Sequence, residues 1–339
     1  MPILRGICSM NYLREDAVFR WGMLWIVFAV LVCPVSARSE PPRRARLVLQ
    51  WYAQAQFAGY FVAQEKGFYT KRGVDLRIVP GGADVLPSDY IDSGKAEFGT
   101  MFLSAAIEKR GAGVKLVNIG QIVQQSALML VARKSSGITG LPDLEGARIG
   151  MWGRQFQVQP RALFKRLGIK VDVVQQSPSF DLFMRGGLDA VSAMWYNEYH
   201  TLMSYGLDPD EMVTFFFSEL DLDFPEDGIY CLEKTWQNDP AMCRAVLEGS
   251  LEGWRYAFAH PDEALEIVLK RMRKQKVRAN RSHQRWMLAR MKDIILDGAP
   301  QPIGVLRRGD FERTKATLLS NGFIWAAPEY KQFYKGPTQ

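Results

Sequence analysis

Histidine is nearly missing from this chain. Among 339 residues there are three, His200, His260 and His283, and none stands at metal-ligand spacing from another. Cysteine is almost as scarce: Cys8 and Cys33 lie in the N-terminal segment, which leaves Cys231 and Cys243, and no Cys-x-x-Cys occurs. These shortages argue against a metal site and against any bound cofactor. An exported chain would allow a disulfide between Cys231 and Cys243, although their spacing alone does not show one. Long low-complexity tracts are absent too, and after residue 38 no apolar run is long enough to span a membrane.

What is present begins with an export signal. Arg14 and Arg20 precede the apolar run "WGMLWIVFAVLVC", and Pro34 and "VSA" then end at Ala37. A basic flank, an apolar stretch and small residues before the break read as a signal peptide over residues 1–37, cleaved after about Ala37, with an uncleaved membrane anchor as the alternative. Its loss removes three Arg and two acids, so the net charge falls from +7 to +6. Most of that excess sits in "KRMRKQKVRANRSHQR", residues 270–285, which reads as a solvated helix face first and a surface for an anionic partner second. No nucleic-acid motif accompanies it.

The remaining chain, 47% apolar and 12% aromatic over its full length, is large enough for two cores. Strand and helix signals alternate. "RLVLQW" is apolar and β-prone, "FAGYFVAQEKG" has helical spacing with Gly67 as a stop, and "VDLRIVP" alternates apolar with polar. A second cycle starts at "DLEGARIGMW", continues with a helix at "PRALFKRLG", and reaches the strand "LDAVSAM". This rhythm predicts mostly parallel sheets covered by helices on both faces. The cycles echo each other: in "SGKAEFGT" and "RGGLDAVS", Gly94 aligns with Gly186 and Glu97 with Asp189. "GIYCLEKTW" (228–236) reads as a strand returning from the second unit, and long helices follow. Crossings near 131–138 and 222–230 are expected to join the two units.

Three stretches, "LVLQWYAQAQFAGYFVAQEKGFYTKRGVDLRIVPGGADV", "IDSGKAEFGT" and "SSGITGLPDLEGARIGMWG", together resemble periplasmic solute-binding proteins of ABC importers. More narrowly they resemble the thiamine-pyrimidine-precursor type, which shares its domain with the yeast hydroxymethylpyrimidine synthase. The resemblance implies a two-lobed α/β fold of type II, each lobe a mostly parallel sheet flanked by helices, joined by a two-strand hinge. Lobe 1 is then expected over 38–132, lobe 2 over 133–225, and 226–339 returns to lobe 1 with the C-terminal helices. A small-molecule ligand and an inner-membrane ABC permease are the implied partners, for a periplasmic monomer.

Ligands of open α/β sheets sit at the carboxyl ends of strands. The loops there carry Trp51, Gln54 and Phe57 after the first strand, Phe102 and Ser104 after "AEFGT", and Gln125 after "VNIG". In the second unit they carry Trp152 and Gln155, and then the cluster Trp195, Tyr196, Asn197 and Glu198. Aromatic faces can sandwich a planar ring while carboxamides match its donors and acceptors. Glu198 can accept from an exocyclic amine. This chemistry points to a flat heteroaromatic, a thiamine pyrimidine precursor first, with riboflavin next and sulfonate, taurine or nitrate behind.

A pyrimidine-synthesising enzyme on the same scaffold is the alternative of another class. That family is associated with a cysteine-rich iron motif and an active-site histidine. Apart from His200, the loops named here have neither residue, so no catalytic residue is expected.

Overall fold

In the computed structural model the described residues are 41–296 and 302–338, so the expected signal peptide and its cleavage point lie outside them. Two five-stranded sheets form the frame. The first contains β1 (Arg43–Val48), β2 (Val74–Val79), β3 (Phe98–Phe102), β4 (Leu116–Gln121) and β10 (Asp227–Leu232), in the order β2-β1-β3-β10-β4. The second contains β5 (Leu128–Arg133), β6 (Arg148–Met151), β7 (Asp172–Gln175), β8 (Ala190–Met194) and β9 (Met212–Phe216), in the order β7-β6-β8-β5-β9. The helices between them are α1 (Ala58–Glu65), α2 (Pro87–Asp92), α3 (Leu103–Gly111), α4 (Val158–Leu167), α5 (Asp181–Met184) and α6 (Glu198–Ser204). After β10 come α7 (Glu233–Asn238), α8 (Pro240–Ala259), α9 (Pro261–Lys274), α10 (Arg281–Ile295), α11 (Arg308–Ser320) and α12 (Tyr330–Phe333).

Each sheet is parallel except for one strand. β10 runs antiparallel to both β3 and β4, and β5 runs antiparallel to both β8 and β9. These two reversed strands are the ones reached directly after the chain changes sheets. The first change occurs within residues 122–127, ahead of the expected 131–138, because β5 pairs wholly in the second sheet. The expected lobe boundary at 132 therefore cuts through β5. The returning strand is also shorter than expected: β10 stops at Leu232, and Glu233–Asn238 coil into α7.

The echo between the two cycles has a structural basis. Glu97 accepts from the Arg46 backbone N–H at 2.7 Å, and Asp189 accepts from the Arg148 N–H at 2.7 Å. The two arginines donate to the carbonyls of Gly94 and Gly186, at 2.9 and 3.1 Å, and both glycines hold left-handed backbone, at φ +70° and +79°. Arg46 lies on β1 and Arg148 on β6, and each of these strands stands second from the edge in its sheet.

The crossing segments are stitched by buried polar groups. Gln159 of α4 donates to Ser126 Oγ at 2.9 Å and to the Leu222 carbonyl at 2.7 Å, so one amide holds both crossings. Glu226 accepts from the Ala127 N–H at 2.5 Å, and Asp223 from the Ser126 N–H at 2.7 Å. On the outside of the first sheet, α1 and α8 cross at backbone contact. A Cβ on Gly253 would stand 2.1 Å from the Gly59 carbonyl oxygen, which only glycine permits. Within the basic stretch 270–285, three residues form surface ion pairs: Lys270 with Glu65, Arg281 with Glu266 and Arg285 with Asp262. Cys231 and Cys243 are both buried free thiols, so the disulfide that export would allow is not formed in this structure.

Candidate functional site

A cleft of about 640 Å³ opens between the carboxyl ends of the two sheets, with a narrower recess at its inner end. Trp51 and Gln50 follow β1, and Phe102 ends β3; Trp152, Gln155 and Phe156 follow β6, Met194 ends β8, and Tyr196, Asn197 and Glu198 follow it. Both sheets thus contribute walls. Trp51 meets Trp152 edge-on at 6.4 Å and Phe156 at 6.5 Å, while Phe102 meets Phe156 at 5.4 Å. Edge-to-face pairs of this kind favour perpendicular rings and leave flat faces for a third ring. The indole N–H of Trp152 is buried with no partner among the described residues.

One acid, Glu198, lines the recess, and Glu226 and Asp227 are buried without lining it. Glu198 accepts from the Met194 N–H at 2.9 Å and from Asn197 Nδ2 at 2.7 Å. Burial, with only 9% of the residue exposed, nevertheless pushes its carboxyl up to about 7. Gln50 donates to Asp227. Asp227 is 4% exposed, and burial raises its carboxyl to about 8. Glu226, at 2% exposed, is raised well above the usual range, first by burial and then by its neighbours Asp227 and Asp223. The phenol of Tyr196 is pushed up as well, by burial and then by these carboxylates. A buried carboxyl and amides among rings suit a flat ligand that brings N–H groups to hydrogen-bond.

The expected residues divide. Trp51, Phe102, Trp152, Gln155, Tyr196, Asn197 and Glu198 share the recess. Gln54, Phe57, Ser104, Gln125 and Trp195 do not line it. Phe57 is wholly in the core, and Gln54 spends its amide on Gln56. Ser104 is buried in α3. Gln125 lies in the first crossing segment. Trp195 turns away to Phe216 at 5.9 Å and lies under Arg290 at 4.6 Å. Glu226 and Asp227 line neither the cleft nor its recess, but Asp227 is held by Gln50, which does. Their signal is present in "FPEDGIY", two acids between apolar neighbours entering a strand.

The family model described as NMT1/THI5 like matches residues 54–264, more than half of the chain. The chain belongs to the NMT1/THI5-like family. It is 24% identical, over 66% of its length and 72% of the relative's, to a Haemophilus influenzae protein named for thiamine biosynthesis. It is 28% identical to the 4-amino-5-hydroxymethyl-2-methylpyrimidine phosphate synthase of Legionella pneumophila, over 34% of this chain and only 37% of the synthase. The riboflavin-binding protein RibY of Chloroflexus aurantiacus is 24% identical over 67% of this chain and 66% of its own. Among solved structures, the periplasmic aliphatic sulphonate binding protein SsuA of Escherichia coli superposes with a TM-score of 0.69 at 16% identity, covering 88% of this chain and 94% of that one. The fold of this family member is that of periplasmic binding proteins.

Proposed function

We propose that the chain is the solute-binding component of an ABC import system and captures a small planar heteroaromatic amine of the thiamine-pyrimidine kind. One observation carries this reading: rings from both sheets, Trp51 and Phe102 on one side and Trp152 and Phe156 on the other, converge over the acceptor pair Asn197–Glu198. A ligand that touches both sheets shifts the balance toward the closed arrangement, because only differential contact moves such an equilibrium. A permease in the inner membrane would recognise that closed form, and the reading places the exported chain in the periplasm.

Two features favour the pyrimidine over the other ligands. A sulfonate or nitrate would find no lysine or arginine among the described residues of the recess and a carboxyl, Glu198, in its wall. An aminopyrimidine instead offers the donors this carboxyl accepts. Titration calorimetry of ligand-free protein with 4-amino-5-hydroxymethyl-2-methylpyrimidine, riboflavin and an alkanesulfonate tests this. Tightest binding of the pyrimidine is expected, and preference for the sulfonate would refute the reading. Relatives named as synthases motivate an enzyme as the second reading. Recovery of the bound pyrimidine chemically unchanged after prolonged incubation supports the binder, and its appearance from precursors supports the enzyme.

A further inference from the structure

Both histidines of the described cleft region sit behind the acceptor pair, on opposite sides of the joint between the sheets. His200 belongs to α6, which follows β8 of the second sheet, whereas His283 belongs to α10. Helix α10 packs on the segment after β1: Gln284 Oε1 accepts from the Ala55 N–H at 2.7 Å. His200 Nδ1 and His283 Nδ1 are 3.0 Å apart, and His283 Nε2 is 2.9 Å from Asn197 Oδ1. Trp286 adds a parallel tie across the joint, donating its indole N–H to the Trp195 carbonyl at 3.1 Å.

The direction of this chain of hydrogen bonds follows from its buried end. Above its raised value of about 7, Glu198 is ionised and can only accept, so Asn197 turns its Nδ2 toward the carboxylate and its Oδ1 outward. Oδ1 also accepts only, so His283 must carry its proton on Nε2. The neutral ring then has a lone pair on Nδ1, and His200 must donate from its own Nδ1. Burial lowers the pKa of both imidazoles, and His283 is lowered to about 4, which keeps the rings neutral as the hydrogen bonds require. The charged and titratable groups around them are Glu198 and Tyr199 on α6 and Arg281, Arg285 and Arg290 on α10. On α9, Glu266 and Asp262 are paired with Arg281 and Arg285.

We propose that His283, backed by His200, is a positioning residue for the ligand site: it locks the Asn197 amide against Glu198, fixing the carboxylate so that its remaining lone pairs accept from an exocyclic amine of the ligand. The proposal rests on reading the cleft as the binding site. It also makes the selecting geometry conditional on closure, since the hydrogen bonds span the joint.

The test uses the exported chain labelled with 15N, as wild type, His283→Ala and His283→Gln. At pH 8 the imidazole spectra are expected to show His200 as the Nδ1–H tautomer and His283 as the Nε2–H tautomer. Binding of 4-amino-2-methylpyrimidine is compared with 2-methylpyrimidine, which lacks the amine. His283→Ala is expected to shrink that preference at least fivefold and shift the Asn197 side-chain amide resonances. His283→Gln, whose amide can donate to Asn197 Oδ1, is expected to restore most of both. The reverse tautomers, or an unchanged Asn197 amide in a folded His283→Ala, overturn the proposal. If wild type binds neither pyrimidine, the ligand reading fails, and the tautomers and amide shifts alone decide the positioning role.

Discussion

Replacing Glu198 by glutamine removes a carboxyl whose folded value is raised from 4.5 to about 7 by burial. The unfolded chain ionises this group near its ordinary value, so the unfolded state gains from each rise in pH before the folded state does. Wild-type stability therefore falls as pH climbs through the window between those two values, and the loss is complete above 7. Each tenfold difference in proton affinity between the folded and unfolded chain is worth about 1.4 kcal/mol, so the change between pH 5 and pH 8 comes to roughly 2.5 kcal/mol. Glutamine does not titrate and escapes that loss. It can accept from only one of the two donors, Met194 N–H and Asn197 Nδ2, which costs about 1–2 kcal/mol at every pH. Urea denaturation of ligand-free wild type and Glu198→Gln at the two pH values separates these effects. The variant is expected to gain about 2.5 kcal/mol relative to wild type on going from pH 5 to pH 8. A gap that stays constant within about 0.5 kcal/mol would refute the assignment of a strained, buried acid at this position.

Trp51→Ala should weaken pyrimidine binding at least about tenfold, or 1.4 kcal/mol, with an unchanged denaturation midpoint, because the ring walls a cleft rather than a core; calorimetry and urea melts check both. Gly253→Ala should destabilise by about 2–3 kcal/mol, since its methyl would strike the Gly59 carbonyl oxygen at 2.1 Å; a stability change below about 1 kcal/mol contradicts the α1–α8 packing. Gln159→Ala frees the Leu222 carbonyl and Ser126 hydroxyl together and should lower stability by about 1–3 kcal/mol, with faster proteolysis in the two crossing segments as a local readout.

How far the sequence can be read depends on whether side chains have one or two neighbours to answer to. The alternation in β2 is plain, because Val74, Leu76 and Ile78 face the core while Asp75 and Arg77 face water. The apolar β5 is recognisable as a strand, but its buried run carries no mark of which sheet it joins, and the pattern alone puts the crossing too late. In the site, aromatic and amide residues directly after strand ends are legible. Gln54 and Phe57 mislead because the chain coils immediately after Trp51 and is roofed by α10, more than two hundred residues later. Trp195 misleads for the same reason: Arg290 and Trp286 of α10 hold it away from the cleft. In sequence Asp227 fits a turn at least as well as a ligand contact, and only the pairing of β10 between β3 and β4 shows it as a buried acid.

That placement of β10 has a consequence for synthesis. Residues 128–216 supply every strand of the second sheet without interruption, so this sheet can be complete as soon as they have left the ribosome. The first sheet cannot, because β4 has β10 as its sole neighbour in the strand order and waits for residues 227–232. The half begun first is finished last, and until then β3 and β4 present unpaired edges that a nascent chain must keep from pairing elsewhere.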